Sequence, residues 1–220
     1  MSRSALLAGG SGLVGGHVLR LLLGDPQYER VTVLGRRDLP VAHKKLVHRV
    51  VSFDRLAETA DFPRVHDVFC CLGTTIKQAR SQAEFRKVDY TYVVELARLA
   101  LRHRASQFLV VTAIGADSRS RAFYSRVKGE VEEALRRLQF DGVHIFRPSL
   151  LLGGRRQIRP LELLARIVSP LVSWTMLGPL APYRPITAAR VARAMVRVAR
   201  DAARGVHVYV GSDIRRLGGR

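Results

Sequence analysis

Along this chain, short apolar runs alternate with longer stretches whose apolar residues recur every three or four positions. The runs 3–8, 31–34, 47–53, 67–72, 107–112 and 143–146 predict buried strands. The spacing over 13–23, 85–102 and 121–139 predicts amphipathic helices. Strands that alternate with helices need crossover connections. The pattern therefore predicts an α/β fold, a doubly wound parallel sheet with helices on both faces. Beyond Pro148 the rhythm changes. Helices are expected at 161–168 and 188–200, with Pro170, Pro179, Pro182 and Pro185 breaking the chain between them, then a strand at 206–210 and a basic tail. Residues 1–148 are thus expected to form the core, and 149–220 a small C-terminal helical cap packed on the same domain.

The first strand runs into Gly9-Gly10-Ser11-Gly12-Leu13-Val14-Gly15, which satisfies both GxxGxxG and GxGxxG. A chain leaving a buried strand there must turn sharply, let its backbone approach a ligand, and seat a helix tightly on the sheet. Glycine meets all three demands, and the helix N-terminus then offers N–H groups to a pyrophosphate. Strand before and helix after are the context that makes the motif informative. The expectation is a Rossmann fold with a dinucleotide site at Gly9, Ser11, Gly12, Leu13, Val14 and Gly15.

The second strand ends in Gly35-Arg36-Arg37. An acidic residue at this position would bond a ribose 2′-hydroxyl, whereas a planar guanidinium suits a 2′-phosphate. Arg36, helped by Arg37, therefore predicts NADP(H) as the cofactor. Two solvated arginines are the plain alternative in so arginine-rich a chain.

Tyr124-Ser125-Arg126-Val127-Lys128 opens the helix after the fifth strand. Residues four apart share one helical face. An ammonium beside a phenol stabilises its anion and fits it for proton transfer near neutral pH.

Composition narrows the alternatives. The formal net charge is +19, with 37 basic residues against 18 acidic ones. Those basic residues are spread over most of the chain and are not interleaved with aromatics, so no specific nucleic-acid surface is predicted. Cys70 and Cys71 are adjacent in an apolar run and read as packed thiols, consistent with a reducing, cytoplasmic setting. No signal peptide is evident in the N-terminal segment. The seven histidines show no ligand spacing, and no metal is expected. The apolar, proline-broken stretch 167–178 is too short to span a bilayer. It reads as buried packing, a substrate lid, a dimer face or a membrane-surface patch.

Gly9–Gly15, Leu34–Arg37, Cys71-Leu72-Gly73-Thr74-Thr75, the segment from Tyr124 to Glu132 and Phe146-Arg147-Pro148-Ser149-Leu150-Leu151 together resemble the short-chain dehydrogenase/reductase superfamily. More closely, their order is similar to its small atypical branch, the Tat-interacting oxidoreductase family and its bacterial relatives. The resemblance implies that Asp54 meets the adenine amino group and that Leu72, Gly73 and Thr74 line the adenosine and its ribose. It also implies that Pro148 and Ser149 meet the nicotinamide amide and that Lys128 bonds the nicotinamide ribose. Thr112 stands where the superfamily carries a catalytic serine, and Asp89 falls where many relatives carry a structural asparagine. The catalytic set implied is Thr112, Tyr124 and Lys128. The expected activity is hydride transfer between a nicotinamide and a small carbonyl or alcohol, with simple reduction favoured over epimerisation because 72 residues make a small lid. The competing expectation is an NADPH-binding regulator or scaffold with little turnover. Expected partners are a small-molecule substrate and a second copy or another protein.

Overall fold

The computed structural model describes residues 2–58, 62–152 and 184–219. Its main sheet has the order β3 (Leu46–Val50), β2 (Tyr28–Gly35), β1 (Arg3–Ala8), β4 (Asp67–Cys70), β5 (Gln107–Val111), β6 (Gly142–Arg147) and β9 (Gly205–Val210). Every neighbouring pair is parallel. The fold is the expected doubly wound α/β sheet. Its order reverses between β1 and β4, and a ligand crevice opens at the carboxyl ends of the strands on such a switch point.

Alternation along each central strand builds two cores, because neighbouring side chains leave opposite faces of a sheet. Leu7, Phe69 and Leu109 meet Val18 and Leu22 of α1 (Leu13–Gly24). Leu6, Val68 and Val110 point the other way, onto Leu96 and Leu99 of α4 (Tyr92–Arg102) and Val131 and Leu135 of α5 (Phe123–Arg136). Burying each such leucine contributes about 1.5–3 kcal/mol, which offsets the chain entropy lost in ordering the element.

The region predicted as one helix over 85–102 is more articulated. It starts earlier, at α3 (Gln82–Arg86), because Ser81 accepts the Glu84 amide at 3.1 Å and caps it. A π-helical turn, Lys87–Thr91, then widens the helix before α4. A short helix, α2 (Ile76–Ala79), precedes it, with Thr75 as its cap. The third strand stops at Val50, and Phe53 begins a 3₁₀ segment.

The last part of the chain packs onto the same domain. Helix α6 (Ala188–Asp201) sets Val191 and Met195 into the same core as α1, and β9 completes the main sheet beside β6. The basic tail contains a seven-residue helix, α7 (Gly211–Leu217). Two-residue strands β7 (Leu151–Leu152) and β8 (Ile186–Thr187) pair in parallel and return the chain to the sheet. The helix expected at 161–168 and the apolar stretch 167–178 lie outside the described residues. Among the described residues no helix is long and apolar enough to cross a membrane.

Candidate active site

Two cavities of about 440 and 370 Å³ lie over the carboxyl ends of the strands and meet along Gly12, Cys71, Leu72 and Gly73. Together they form one cleft running from Arg36 to Tyr124.

Its floor is the glycine loop. Gly9 has φ +85, and a side chain there would strike the carbonyl of Cys71. A Cβ on Gly15 would overlap the carbonyl oxygen of Gly9, which itself accepts the Gly12 amide at 2.9 Å. Helix α1 therefore sits hard against the loop. Gly12 is its N-cap, with no capping side chain and no acidic residue in the first turn. Leu13 and Val14, at that bare positive end, border the second cavity. A cradle that any Cβ would fill, at an uncapped helix start, fits a pyrophosphate.

At the far end of the cleft, Arg36 and Arg37 border the first cavity and are solvent-exposed. Asp54, expected at the adenine amino group, is not among the residues lining this cavity. It is exposed, and its Oδ1 accepts from Lys87 Nζ and from the Tyr92 hydroxyl, each at 2.7 Å. Those two hydrogen bonds, the lysine's first, hold its carboxyl below the usual aspartate range. The aromatic pair Phe53 and Tyr92, with ring centroids 5.5 Å apart, walls the cleft instead. Asp54 ties the 3₁₀ segment to the π-turn.

The other half of the cleft brings Leu72, Gly73, Thr74, Thr112, Tyr124, Lys128, Pro148 and Ser149 around one cavity. Lys128 is 5% exposed, and its Nζ lies 2.7 Å from Asp89 Oδ1. Burial disfavours its charge, but Asp89 and nearby Tyr124 outweigh that, and the ammonium is held above the usual lysine range. The second Asp89 oxygen accepts the Thr74 amide at 2.8 Å. Asp89 thus joins the lysine to the loop after β4. Tyr124 is 37% exposed and packs its ring on Phe85 at 5.5 Å. Gly129, next to Lys128, lets α5 approach the 117–118 backbone where a side chain would collide.

Thr112 Oγ1 donates to Glu132 Oε1 at 2.7 Å, and Glu132 also receives Arg147 through Nε at 3.0 Å and Nη2 at 2.5 Å. A carboxylate paired with a guanidinium only accepts, so the single hydroxyl proton of Thr112 is committed to it. Thr112 borders the cavity with its hydroxyl turned toward Glu132 and, at 3.3 Å, the carbonyl oxygen of Phe146. Ala113, which also borders it, has no hydroxyl. Glu132 and Arg147 were not singled out from the sequence, although both lie within segments that carry the resemblance. Pro148 contributes its carbonyl to the Ile114 amide at 2.9 Å, and the Ser149 hydroxyl donates to the carbonyl of Arg184.

Both cysteines are free. Burial pushes the Cys70 thiol up to about 12 and raises Cys71 as well, so neither is a thiolate near neutral pH. Among the described residues no group of three His, Cys, Asp or Glu is arranged to hold a metal.

Fold, glycine cradle and the tyrosine–lysine pair define an oxidoreductase-type nucleotide-binding protein of the atypical short-chain class. The model of the NAD dependent epimerase/dehydratase family matches residues 5–211, and the chain belongs to that family. Rat protein HTATIP2 is 40% identical over 169 residues, covering 75% of this chain and 69% of that protein. A fungal relative, protein fmp52-1, mitochondrial, of Aspergillus terreus, is 31% identical with 98% of each chain covered. Among solved structures, human epimerase family protein SDR39U1 with NADPH superposes with a TM-score of 0.66 at 19% identity, covering 94% of this chain and 74% of that one. These relatives overturn the cytoplasmic expectation. Several fungal ones are named as mitochondrial. Nor do adjacent reduced cysteines specify a compartment, since Cys70 is buried out of reach of an oxidant wherever the protein resides.

Proposed function

We propose that the chain is an NADP(H)-dependent oxidoreductase that reduces a small carbonyl compound, or oxidises the corresponding alcohol. The observation that carries this reading is that Tyr124 and the Asp89-held Lys128 border the cavity on which the bare start of α1 opens. NADPH is also the ligand named with the SDR39U1 structure. The glycine loop and the start of α1 would receive the pyrophosphate, with Arg36 and Arg37 on the 2′-phosphate. Leu72, Gly73 and Thr74 would border the adenosine and ribose, and Pro148 and Ser149 the carboxamide end. When bound, the nicotinamide supplies or accepts the hydride. Tyr124 delivers the proton to the carbonyl oxygen in reduction and takes it back in oxidation. Lys128 stabilises the phenolate left behind and bonds the nicotinamide ribose. Asp89 positions Lys128, and Thr112, through Glu132, fixes α5 to the sheet.

A second reading, an NADPH-responsive regulator or scaffold with little turnover, is favoured by the committed proton of Thr112 and the missing hydroxyl at Ala113. One experiment separates the two. Small aldehydes and ketones are screened for NADPH consumption with the wild-type protein and with Tyr124→Phe. Consumption that the variant loses supports the enzyme. NADPH binding with no consumption across the screen supports the regulator.

A further inference from the structure

Past the end of β2, the first cavity is bordered by Arg36, Arg37, Asp38, Leu39 and Pro40. This stretch is anchored on both sides. The Gly35 carbonyl accepts the Val51 amide at 2.9 Å, and Leu39 packs beside Gly10, where a Cβ would stand 3.5 Å from its Cδ1. Between the anchors stand two guanidiniums and one carboxylate, all exposed. A free carboxylate suits a phosphate site poorly. It repels a 2′-phosphate directly, and it pairs with a neighbouring guanidinium and cancels the charge the phosphate needs.

Asp38 is held by a different partner. Its Oδ1 lies 3.0 Å from Nδ1 of His48, ten positions on in β3. His48 stands opposite Val33 in the β2–β3 register, and its side chain is only 14% exposed. Its Nε2 is buried with no hydrogen-bond partner, close to Gly35, where a Cβ would crowd it at 3.1 Å. An imidazole with one nitrogen on a carboxylate and the other unpartnered carries its proton on the first, so Nδ1–H donates to Asp38. His48 itself borders neither cavity, and any effect it has on a bound nucleotide passes through Asp38.

We infer that His48 is a positioning residue for cofactor choice. By holding Asp38 it keeps the carboxylate off Arg36 and Arg37, and so sets the preference for a nucleotide with a 2′-phosphate over one with a 2′-hydroxyl. The inference rests on the NADP(H) reading of the cleft. Released, Asp38 would neutralise an arginine and would also offer an acceptor to a ribose hydroxyl, which a 2′-phosphate lacks. One hydrogen bond therefore biases the site against NADH and toward NADPH at the same time.

The test is parallel calorimetric titration of NADPH and NADH into the cofactor-free full chain at low ionic strength, where surface charges are least screened. His48→Asn and His48→Gln form a matched pair. The asparagine amide stands near the place of Nδ1 and can still donate to Asp38, whereas the glutamine amide stands near that of Nε2 and cannot. His48→Gln should weaken NADPH by about three- to tenfold and leave NADH unchanged or tighter, while His48→Asn keeps the wild-type ratio. Adding Asp38→Asn to His48→Gln removes the loose charge and should return NADPH to within about twofold of wild type. A histidine that merely stabilises the edge strand would give no such rescue. A wild-type ratio in His48→Gln, or a double variant as weak as the single one, overturns the inference. Should His48→Gln not fold, His48→Leu takes its place with the same expectations. Wild-type protein that binds neither nucleotide, or both equally, overturns the NADP(H) reading and this inference with it. An NADPH preference that no His48 variant changes leaves that reading standing and sinks the inference alone.

Discussion

The two ends of the sheet use the same kinds of side chain to opposite effect. At the amino ends, Asp67 receives Arg3 at 2.6 Å, Tyr28 at 2.7 Å and Gln107 at 2.7 Å. Gln107 continues to His144 at 3.1 Å, and His144 to Tyr209 at 3.2 Å. Carboxylate, tyrosine and cation are closed on one another, with Tyr28 fully buried. At the carboxyl ends, Asp89 and Lys128 are also buried and paired, but Tyr124 stands partly exposed on an open cavity. A network whose every group is satisfied holds strands in register. One that leaves a phenol beside a fixed ammonium and an empty volume is equipped to move a proton. The identity of the residues does not separate the two ends; what is left unpartnered does.

The largest effect is expected at the open end. Tyr124→Phe should lower turnover by about 10²–10⁴, the usual worth of a general acid, with NADPH affinity and melting temperature nearly unchanged. A comparable loss of stability would make Tyr124 a packing residue, like Tyr28.

At the closed end, Asp67→Ala should cost about 3–5 kcal/mol of folding stability in denaturant titrations, because it leaves a part-buried guanidinium unpaired. Cofactor affinity of the folded fraction should not change. If affinity falls instead, the two ends are coupled through β4 and the contrast fails.

The closed end also predicts a pH dependence. Burial first, then the neighbouring charge of His207, lowers His144 from its ordinary value of 6.5 to about 4. The unfolded chain therefore takes up the proton first as pH falls. The stability contributed by neutral His144 is present above about 6.5 and is lost progressively down to about 4, by about 3 kcal/mol at most. Chemical denaturation across that window should show the slope, and His144→Gln should flatten it.

How far the sequence discloses these ends follows from the range of the interactions. The glycine loop and the Tyr124–Lys128 pair are local, set by turn sterics and helical spacing, and both appear in the structure where the sequence puts them. The strand core was readable for the same reason, since burial on both faces makes continuous apolar runs. Asp89 meets Lys128 across 39 positions and through a π-turn that no apolar periodicity announces. The hydrogen bond of Thr112, just past the end of β5, goes to Glu132, 20 residues on, a tertiary partner that strand patterning does not reveal. Asp54 bonds Lys87 and Tyr92, more than 30 residues on, which no local pattern announces. The seventh strand was visible as an apolar run, but its place beside β6 is a tertiary choice, and α7 is too short and arginine-rich to show an apolar face.

The smallest expected effect is also the most direct test of the central claim that the open end is an NADP(H) cleft. Parallel calorimetric titrations of NADPH and NADH into the cofactor-free protein, repeated on Arg36→Ala, measure it. The account predicts tight NADPH binding that weakens about 10- to 100-fold in the variant, with NADH affinity unchanged, because one charge-assisted clamp on the 2′-phosphate is lost. Equal affinity for both nucleotides in the wild type, or no binding of either, would contradict it.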